Sequence, residues 1–188
     1  CHDLVLNKTY KYGPQNINEA LKHLLSADAL IGHNIMFYDI PLLAKLYDID
    51  LKCKVIDTLV CTRLIWPKEK LAEMDYSYMQ QVPPRLKGSA SLKAWGYRLA
   101  DHKIDFKDFS HYTEEMLEYC VQDVNVTKKL LLHIIKQNYP QPPLAIEHEF
   151  AYYINKQIRA GIPFDIDGAI DLVDELRTKQ KGLEGELK

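Results

Sequence analysis

Two aspartates and a tyrosine stand in surroundings that would permit metal chemistry. Tyr119 and Asp123 are four residues apart in a stretch with helical periodicity, so their side chains are neighbours on one helix. Asp123 lies on the flank of that helix's apolar side, where a carboxylate is costly unless it is paired or binds a metal ion. A cation would supply the partner, and the tyrosine hydroxyl could orient a water. The structural alternative is a hydrated aspartate at the rim of the core, with Tyr119 as packing.

A second group of polar residues ends at Asp39. It follows the apolar run Ala29–Ile31, which suits a buried strand, and it precedes a helical pattern. Loops at strand ends are where α/β proteins place ligands. His33 and Asn34 are therefore candidate substrate-binding residues, and Asp39 is a candidate metal ligand. The alternative for Asp39 is a helix N-cap, because it directly precedes a proline-containing helical start.

The elements that position these residues alternate between short strands and helices, which is typical of an α/β domain. Strands are predicted at Leu4–Leu6 and Ala29–Ile31. Asp57, Thr113 and Asp167 are predicted to begin three of the helices. The helical patterns lie at about 17–26, 40–47, 57–65, 92–99, 114–136, 144–160 and 168–186.

Residues 67–90 interrupt this alternation and are predicted to form a long loop. The segment contains three prolines, one glycine, four basic residues and two tyrosines, Tyr76 and Tyr78. Basic and aromatic side chains together could contact a single nucleic-acid strand. Composition alone favours the alternative, a solvated insertion.

The bulk composition is that of a soluble globular protein and excludes several other classes. Of 188 residues, 47% are hydrophobic and 27% are charged, with a net charge of −2. No apolar run approaches the roughly 20 residues that span a bilayer, so no membrane partner is expected. The charge excludes a strongly basic nucleic-acid coat but not a local basic groove beside an acidic metal site. The four cysteines form no C-x-x-C pair, so neither zinc nor a disulfide framework is indicated.

The ordered set of motifs resembles a known enzyme family. Asn34-x-x-x-Tyr38-Asp39, followed by Tyr119-x-x-x-Asp123, resembles the second and third motifs of the DEDD exonucleases, in the subgroup that uses tyrosine. The resemblance implies an α/β fold of the ribonuclease-H-like type.

The resemblance continues outside these motifs. Segments similar to the family-A DNA polymerases of short-tailed phages lie at 56–59, 88–99 and 119–124, and residues 146–165 resemble the beginning of their polymerase part. The implied organisation is an exonuclease domain over residues 1–143 and the helical start of a polymerase domain over residues 144–188.

This resemblance implies a 3′–5′ proofreading exonuclease, part of a DNA-directed DNA polymerase, that uses two divalent ions about 4 Å apart. The ions would be Mg²⁺, with Mn²⁺ as a substitute, because hard oxygen ligands suit them. Asp39 and Asp123 would be metal ligands, Asp39 through water, and Tyr119 would position the attacking water. The partners would be a single-stranded DNA 3′ end or primer–template DNA and the rest of the polymerase chain, in the cytoplasm of a phage-infected bacterial cell.

One motif of that family is absent from the sequence. The first motif is Asp-x-Glu on the opening strand, and this spacing occurs nowhere here. We therefore expect that strand upstream of Cys1, and we expect the chain as given to be inactive or very weak by itself. Two other functions stay open: a stand-alone exonuclease of the ribonuclease D type, and a nuclease-inactive module that binds single strands or braces a polymerase.

Overall fold

Helices dominate the architecture, and two small sheets accompany them. The structure is a computed structural model that describes residues 1–77, 82–101, 106 and 108–186. The strands are β1 (His2–Asp3), β2 (Lys8–Thr9), β3 (Ala29–Gly32) and β4 (Lys54–Asp57). The helices are α1 (Ile17–Leu25), α2 (Asp39–Tyr47), α3 (Thr58–Ile65), α4 (Lys68–Ser77), α5 (Leu92–Arg98), α6 (Glu114–Lys136), α7 (Gln141–Ala160) and α8 (Ile166–Glu186). The presence of both strands and helices confirms the predicted α/β class.

The chain forms two compact units, residues 1–155 and residues 156–188. The assignment of residues 1–143 to an exonuclease domain and of residues 144–188 to a polymerase domain stays a prediction. Among the described helices, none combines the length and the apolar character that crossing a bilayer requires.

The first sheet is an antiparallel hairpin in which β1 pairs with β2. The predicted strand at Leu4–Leu6 is wrong, because these residues form the turn between the two strands, and Val5 is 94% exposed. Asp3 accounts for the turn: its carboxylate accepts hydrogen bonds from the backbone N–H groups of Val5 and Leu6. A local polar contact therefore overrides the β propensity of the apolar residues.

The second sheet carries the loop that contains the predicted site residues. β3 and β4 are parallel, and their register runs from Ala29 opposite Lys54 to Gly32 opposite Asp57. Because parallel neighbours end at the same edge, the residues that follow Gly32 and Asp57 emerge side by side. The prediction of a strand at β3 is confirmed. The sequence pattern misses β4, since this strand runs directly into α3 without a turn signal.

A core of large apolar side chains lies among α3, α4, α5 and α6. The ring centres of Trp66 and Trp95 are 5.1 Å apart, and His133 stacks on Trp66 at 5.2 Å. This core fixes α6 against α3, and α3 continues from β4 at the edge described above. Its buried members are Cys61, Ile65, Trp66, Leu71, Trp95, Leu130 and Ile134.

The segment predicted as a long loop contains a helix, α4, that is anchored by two buried side chains. Within α4, Leu71 is 1% exposed, and the carboxylate of Asp75 is buried. That carboxylate accepts hydrogen bonds from Nε and Nη2 of Arg98 at 2.8 and 2.7 Å. The N–H of Gly88 donates to it at 2.9 Å, from a backbone with a φ of +71° that suits glycine. The predictions of a long loop and of a solvated insertion are therefore wrong for the described residues, and Tyr78 lies outside them.

Most of the other helices follow the predicted periodicity. α1, α2, α3, α6 and α8 begin and end within two residues of the predicted bounds, whereas α7 begins three residues earlier. The predicted caps at Asp57 and Thr113 are confirmed, since their side chains accept the N–H groups of Leu59 and Met116. The predicted cap at Asp167 is wrong, because α8 begins earlier and Asp165 accepts the N–H of Gly168 at 2.9 Å instead.

Candidate functional site

The loop between β3 and α2 ends at Asp39. Asn34 has a left-handed φ of 65°, which asparagine tolerates better than most residues. Its carbonyl accepts the N–H groups of Phe37 and Tyr38 at 3.2 and 3.1 Å, and the resulting turn leads into α2. The N-cap position of α2 belongs to Tyr38, and Asp39 is already the first helical residue. The helix-cap alternative for Asp39 is therefore wrong, and its exposed carboxylate lies at the start of the helix.

His33 is held at the same edge of the sheet. The Thr58 hydroxyl donates to the carbonyl of Gly32 at 3.2 Å, so its oxygen accepts Nδ1–H of His33 at 2.9 Å. This pair places a proton on Nδ1 of His33. The ends of β3 and α3 thus set the orientation of the imidazole.

Asp57 ties this loop to the helix that follows β4. Its carboxylate is fully buried and accepts the N–H groups of Asn34 at 2.8 Å, Met36 at 3.1 Å and Leu59 at 2.9 Å. Sequence reasoning predicts the bond from the N–H of Leu59, because this bond makes Asp57 the N-cap of α3. It misses the two bonds to the loop, because backbone N–H groups carry no sequence signal of their partner.

The surroundings of Asp39 disfavour the charged form of its carboxyl group. The protein atoms packed around the carboxylate raise its pKa, a hydrogen bond to its own backbone N–H lowers it, and the negative charge of Asp57 raises it again. The net pKa lies above the ordinary value. Burial, followed by the same Asp57 charge, raises the pKa of the Cys61 thiol to about 11. A divalent cation would supply the missing charge at Asp39.

Tyr119 and Asp123 lie one turn apart on α6. Tyr119 is half-buried, and its ring centre lies 5.8 Å from those of both Phe106 and Phe109. Asp123 is half-buried with its Oδ1 atom buried, and its backbone carbonyl accepts the Thr127 hydroxyl at 2.8 Å. The predicted placement of Asp123 at the edge of the core is confirmed.

The donor atoms suit a hard divalent cation, but they do not form a complete cage. Asp39 starts α2, and Asp123 lies on α6, which packs against α3. Within the described ranges, no three or more histidine, cysteine, aspartate or glutamate side chains converge as a metal site. Carboxylate oxygens are the donors that Mg²⁺ prefers, so the two aspartates fit in kind and need further ligands. An ion shared by Asp39 and Asp123 stays a prediction.

A cleft of about 530 Å³ opens beside His33 and Asn34. Arg63 and Lys68 line it as exposed side chains, and neither is ion-paired within the part of the chain that the structure describes. Two uncompensated cations beside an aspartate-bearing loop suit a negatively charged ligand. Another cleft, of about 430 Å³, lies at the opposite ends of β3 and β4, and none of the predicted site residues lines it.

The amino-acid sequence of the chain is similar to those of known proteins. A family model described as 3′–5′ exonuclease matches residues 2–138. The DNA-directed DNA polymerases of Escherichia phage T7 and Enterobacteria phage T3 are each 31% identical to the chain, over 82% of its length and 28% of theirs. The chain thus spans less than a third of the length of these curated relatives. The resemblance inferred from the motifs is confirmed, and the chain belongs to the 3′–5′ exonuclease family.

Proposed function

We propose that this chain is the proofreading exonuclease part of a DNA-directed DNA polymerase and that it hydrolyses the terminal phosphodiester at a DNA 3′ end. The family match supports the reaction class. One structural observation carries the choice of site: the loop with Asn34 and Asp39 is fixed at the common edge of β3 and β4, beside a cleft lined by cations. That edge is where open α/β sheets bind their ligands.

In this proposal each site residue has a separate task. Asp39 and Asp123 hold two divalent ions, Mg²⁺ or in its place Mn²⁺. Such ions, once bound, lower the pKa of a water and stabilise the leaving 3′ oxygen. The Tyr119 hydroxyl orients the attacking water, and the aromatic rings packed around Tyr119 restrict its rotamers. His33 and Asn34 contact the terminal nucleotide from the loop.

The substrate in this proposal is a single-stranded 3′ end, which primer–template DNA supplies when it frays. Arg63 and Lys68 face the phosphates of the strand across the cleft. Lys87 lies over the ring of Tyr76 at 3.9 Å, and Tyr76 is exposed, so a cation and an aromatic face are presented together. This pairing is suited to a flexible strand with unstacked bases.

We also propose that an Asp-x-Glu strand upstream of Cys1 supplies the remaining carboxylates and completes a ribonuclease-H-like sheet. The beginning of the described chain lies against α6. Nε2 of His2 is 2.8 Å from Nζ of Lys128, and the amino group of Cys1 is within electrostatic range of Cys120. Since Cys120 and Lys128 flank Asp123 along α6, residues preceding Cys1 would approach the carboxylate from this side.

The test uses a chain extended upstream through an Asp-x-Glu motif and a labelled single-stranded DNA with Mg²⁺. Asp123→Ala should lower trimming by about 10³-fold or more, because loss of one member of a catalytic unit removes most of its rate enhancement. Asp50→Ala is the matched control, since Asp50 is an exposed aspartate beside the other cleft. The chain that begins at Cys1 should trim very weakly.

The outcomes separate the candidate functions. Retained trimming by Asp123→Ala would remove this residue from the site. Equal trimming by the short and extended chains would refute the role of the upstream motif. Trimming restricted to RNA would indicate the ribonuclease D type, and tight strand binding without any trimming by the extended chain would indicate an inactive binding module.

A further inference from the structure

Asp57 makes more hydrogen bonds than a helix cap requires. The bond from the N–H of Leu59 at 2.9 Å caps α3. The bonds from Asn34 at 2.8 Å and Met36 at 3.1 Å instead reach a loop more than twenty residues earlier in the sequence. Because the Asp57 side chain is fully buried, these bonds are shielded from water and hold the loop at a fixed distance from α3.

α7 holds Asp57 and the same loop from a second direction. Nε2 of His148 accepts the backbone N–H of Asp57 at 2.9 Å, and Nδ1 lies 2.7 Å from the carbonyl of Leu144. A carbonyl can only accept, so Nδ1 carries the proton and Nε2 is the acceptor of a neutral ring. Farther along α7, the side-chain amide of Asn155 donates to the carbonyl of Met36.

We infer that Asp57, His148 and Asn155 are positioning residues for the exonuclease reaction. They act on the segment that begins at Asn34 and ends at Asp39, and they do so through its backbone. Asp57 holds the N–H groups of Asn34 and Met36, and Asn155 holds the carbonyl of Met36. This inference rests on the proposed function, because its effect is expressed only if Asn34 and Asp39 take part in the reaction.

The inference gives α7 a role in the exonuclease site. His148 and Asn155 both follow residue 143, where the sequence predicts the exonuclease domain to end. Both belong to the first compact unit. A helix predicted to begin the polymerase part therefore also sets the geometry of the loop with the predicted metal ligand. Supporting contacts of this kind around metal sites typically change affinity or activity by about 10- to 100-fold when removed.

The experiment uses the full-length protein that contains this chain. His148→Leu replaces the imidazole with an apolar side chain and removes the acceptor of the Asp57 N–H. We expect kcat for trimming of single-stranded DNA to fall by about 10- to 100-fold and the Mg²⁺ concentration at half-maximal rate to rise. KM for the strand should change less than kcat, because the cleft cations Arg63 and Lys68 are untouched. Asn155→Leu should act in the same direction.

Two further variants separate positioning from general stability. In His148→Gln the side-chain carbonyl can replace Nε2 as acceptor, so most of the activity and the normal Mg²⁺ requirement should return. Glu149→Leu changes an exposed residue one position along the same helix and should trim like the unmodified protein. Polymerase activity and the far-UV circular dichroism melt of each preparation report on folding.

The inference is overturned if His148→Leu and Asn155→Leu both trim at the unmodified rate with an unmodified Mg²⁺ requirement. It is also overturned if Gln and Leu at position 148 lose trimming equally while the fold is intact. If His148→Leu fails to fold, Asn155→Leu decides by the same criteria. The unmodified protein and Asp123→Ala are run beside them: absence of trimming by the unmodified protein would defeat the proposed function itself, whereas an inactive Asp123→Ala beside a fully active His148→Leu defeats only the positioning role.

Discussion

At the scale of single residues, two carboxylates show that burial alone does not mark a functional aspartate. Burial raises the pKa of Asp75, but hydrogen bonds from Arg98 and Gly88 outweigh it, so the net pKa is lowered. Asp39 is far more exposed, yet its net pKa is raised, because the protein atoms around the carboxylate and then the like charge of Asp57 outweigh the hydrogen bond to its own backbone N–H. Within the described residues Asp39 has no ion pair, and its carboxylate is therefore the one of the two that a metal ion would stabilise.

The raised pKa of Asp39 predicts how stability depends on pH. A folded-state pKa above the unfolded value of about 3.9 means that the contribution to stability is fully present below that value. It is then lost as the pH rises through the folded-state pKa. We therefore expect Asp39→Asn to have a higher free energy of unfolding than the unmodified chain at pH 7 without metal. The difference should vanish below a pH of about 3.9.

Urea titrations in EDTA from pH 3.5 to 7 measure this difference. In a chain that carries the complete site, added Mg²⁺ should reduce the difference in free energy of unfolding between Asp39→Asn and the unmodified chain at pH 7, since the ion supplies positive charge beside the carboxylate. A variant that is less stable than the unmodified chain at pH 7 would contradict the expected sign.

The sequence predicts single residues well where the signal is local. The caps at Asp57 and Thr113 follow from residue type and position alone. Asp39 and Asp123 are different, because they are far apart in the chain and spacing within each motif left a structural alternative for both. The ordered set of motifs was needed to favour the nuclease, and the loop bonds of Asp57 carry no sequence signal at all.

At the scale of elements, the buried pair of Asp75 and Arg98 joins α4 to α5. Asp75→Ala leaves the Arg98 guanidinium buried without its carboxylate, so we expect a loss of about 3–5 kcal/mol in the free energy of unfolding. Since the pKa of Asp75 is lowered, its contribution is fully present above the unfolded pKa of about 3.9. It is lost as the pH falls through the folded-state pKa.

Urea denaturation at pH 7 and pH 3 measures this contribution, and the cost should be smaller at the lower pH. Asp174→Ala is the matched control, because its partner Arg177 lies 3.8 Å away and both side chains are about 70% exposed. The control should lose less than about 1 kcal/mol. Equal losses in the two variants would show that the Asp75–Arg98 pair does not hold these helices.

Periodicity predicts the long amphipathic helices and fails for α4. The helix stands between proline-containing stretches, and its charged residues outnumber its apolar ones. Leu71 is its one fully buried apolar residue, and the other buried anchor is Asp75, whose partner Arg98 is 23 residues away. A helix whose burial depends on a distant ion pair cannot be recognised from a local window.

At the scale of the whole molecule, the two compact units differ in how much they bury. α8 has no buried residue, whereas the first unit contains the tryptophan core. We expect deletion of residues 161–188 to reduce the helical circular dichroism signal but to shift the melting midpoint by less than about 2 °C, which corresponds to under about 1 kcal/mol.

Deletion of residues 141–188 is the control for this prediction. It also removes His148 and Asn155, so the Asp57 N–H and the Met36 carbonyl lose their partners and the midpoint should fall further. A large shift from the shorter deletion would show that the second unit stabilises the core.

The sequence also predicts the class of the fold better than its connections. Alternating strands and helices indicate α/β architecture, which the structure confirms. The hydrogen bonds from α7 to the end of β4 and to the loop after β3 join residues about ninety or more positions apart, and no local pattern encodes such a separation.

The left-handed backbone at Asn34 has a consequence for how the position can vary. If every amino acid were placed there and the library sorted only for soluble, folded chains, glycine and aspartate should be recovered beside asparagine. If the same library were sorted for trimming, the recovered set should shrink toward asparagine. Residues recovered only in the first set would be compatible with the backbone conformation at position 34 but not with substrate contact.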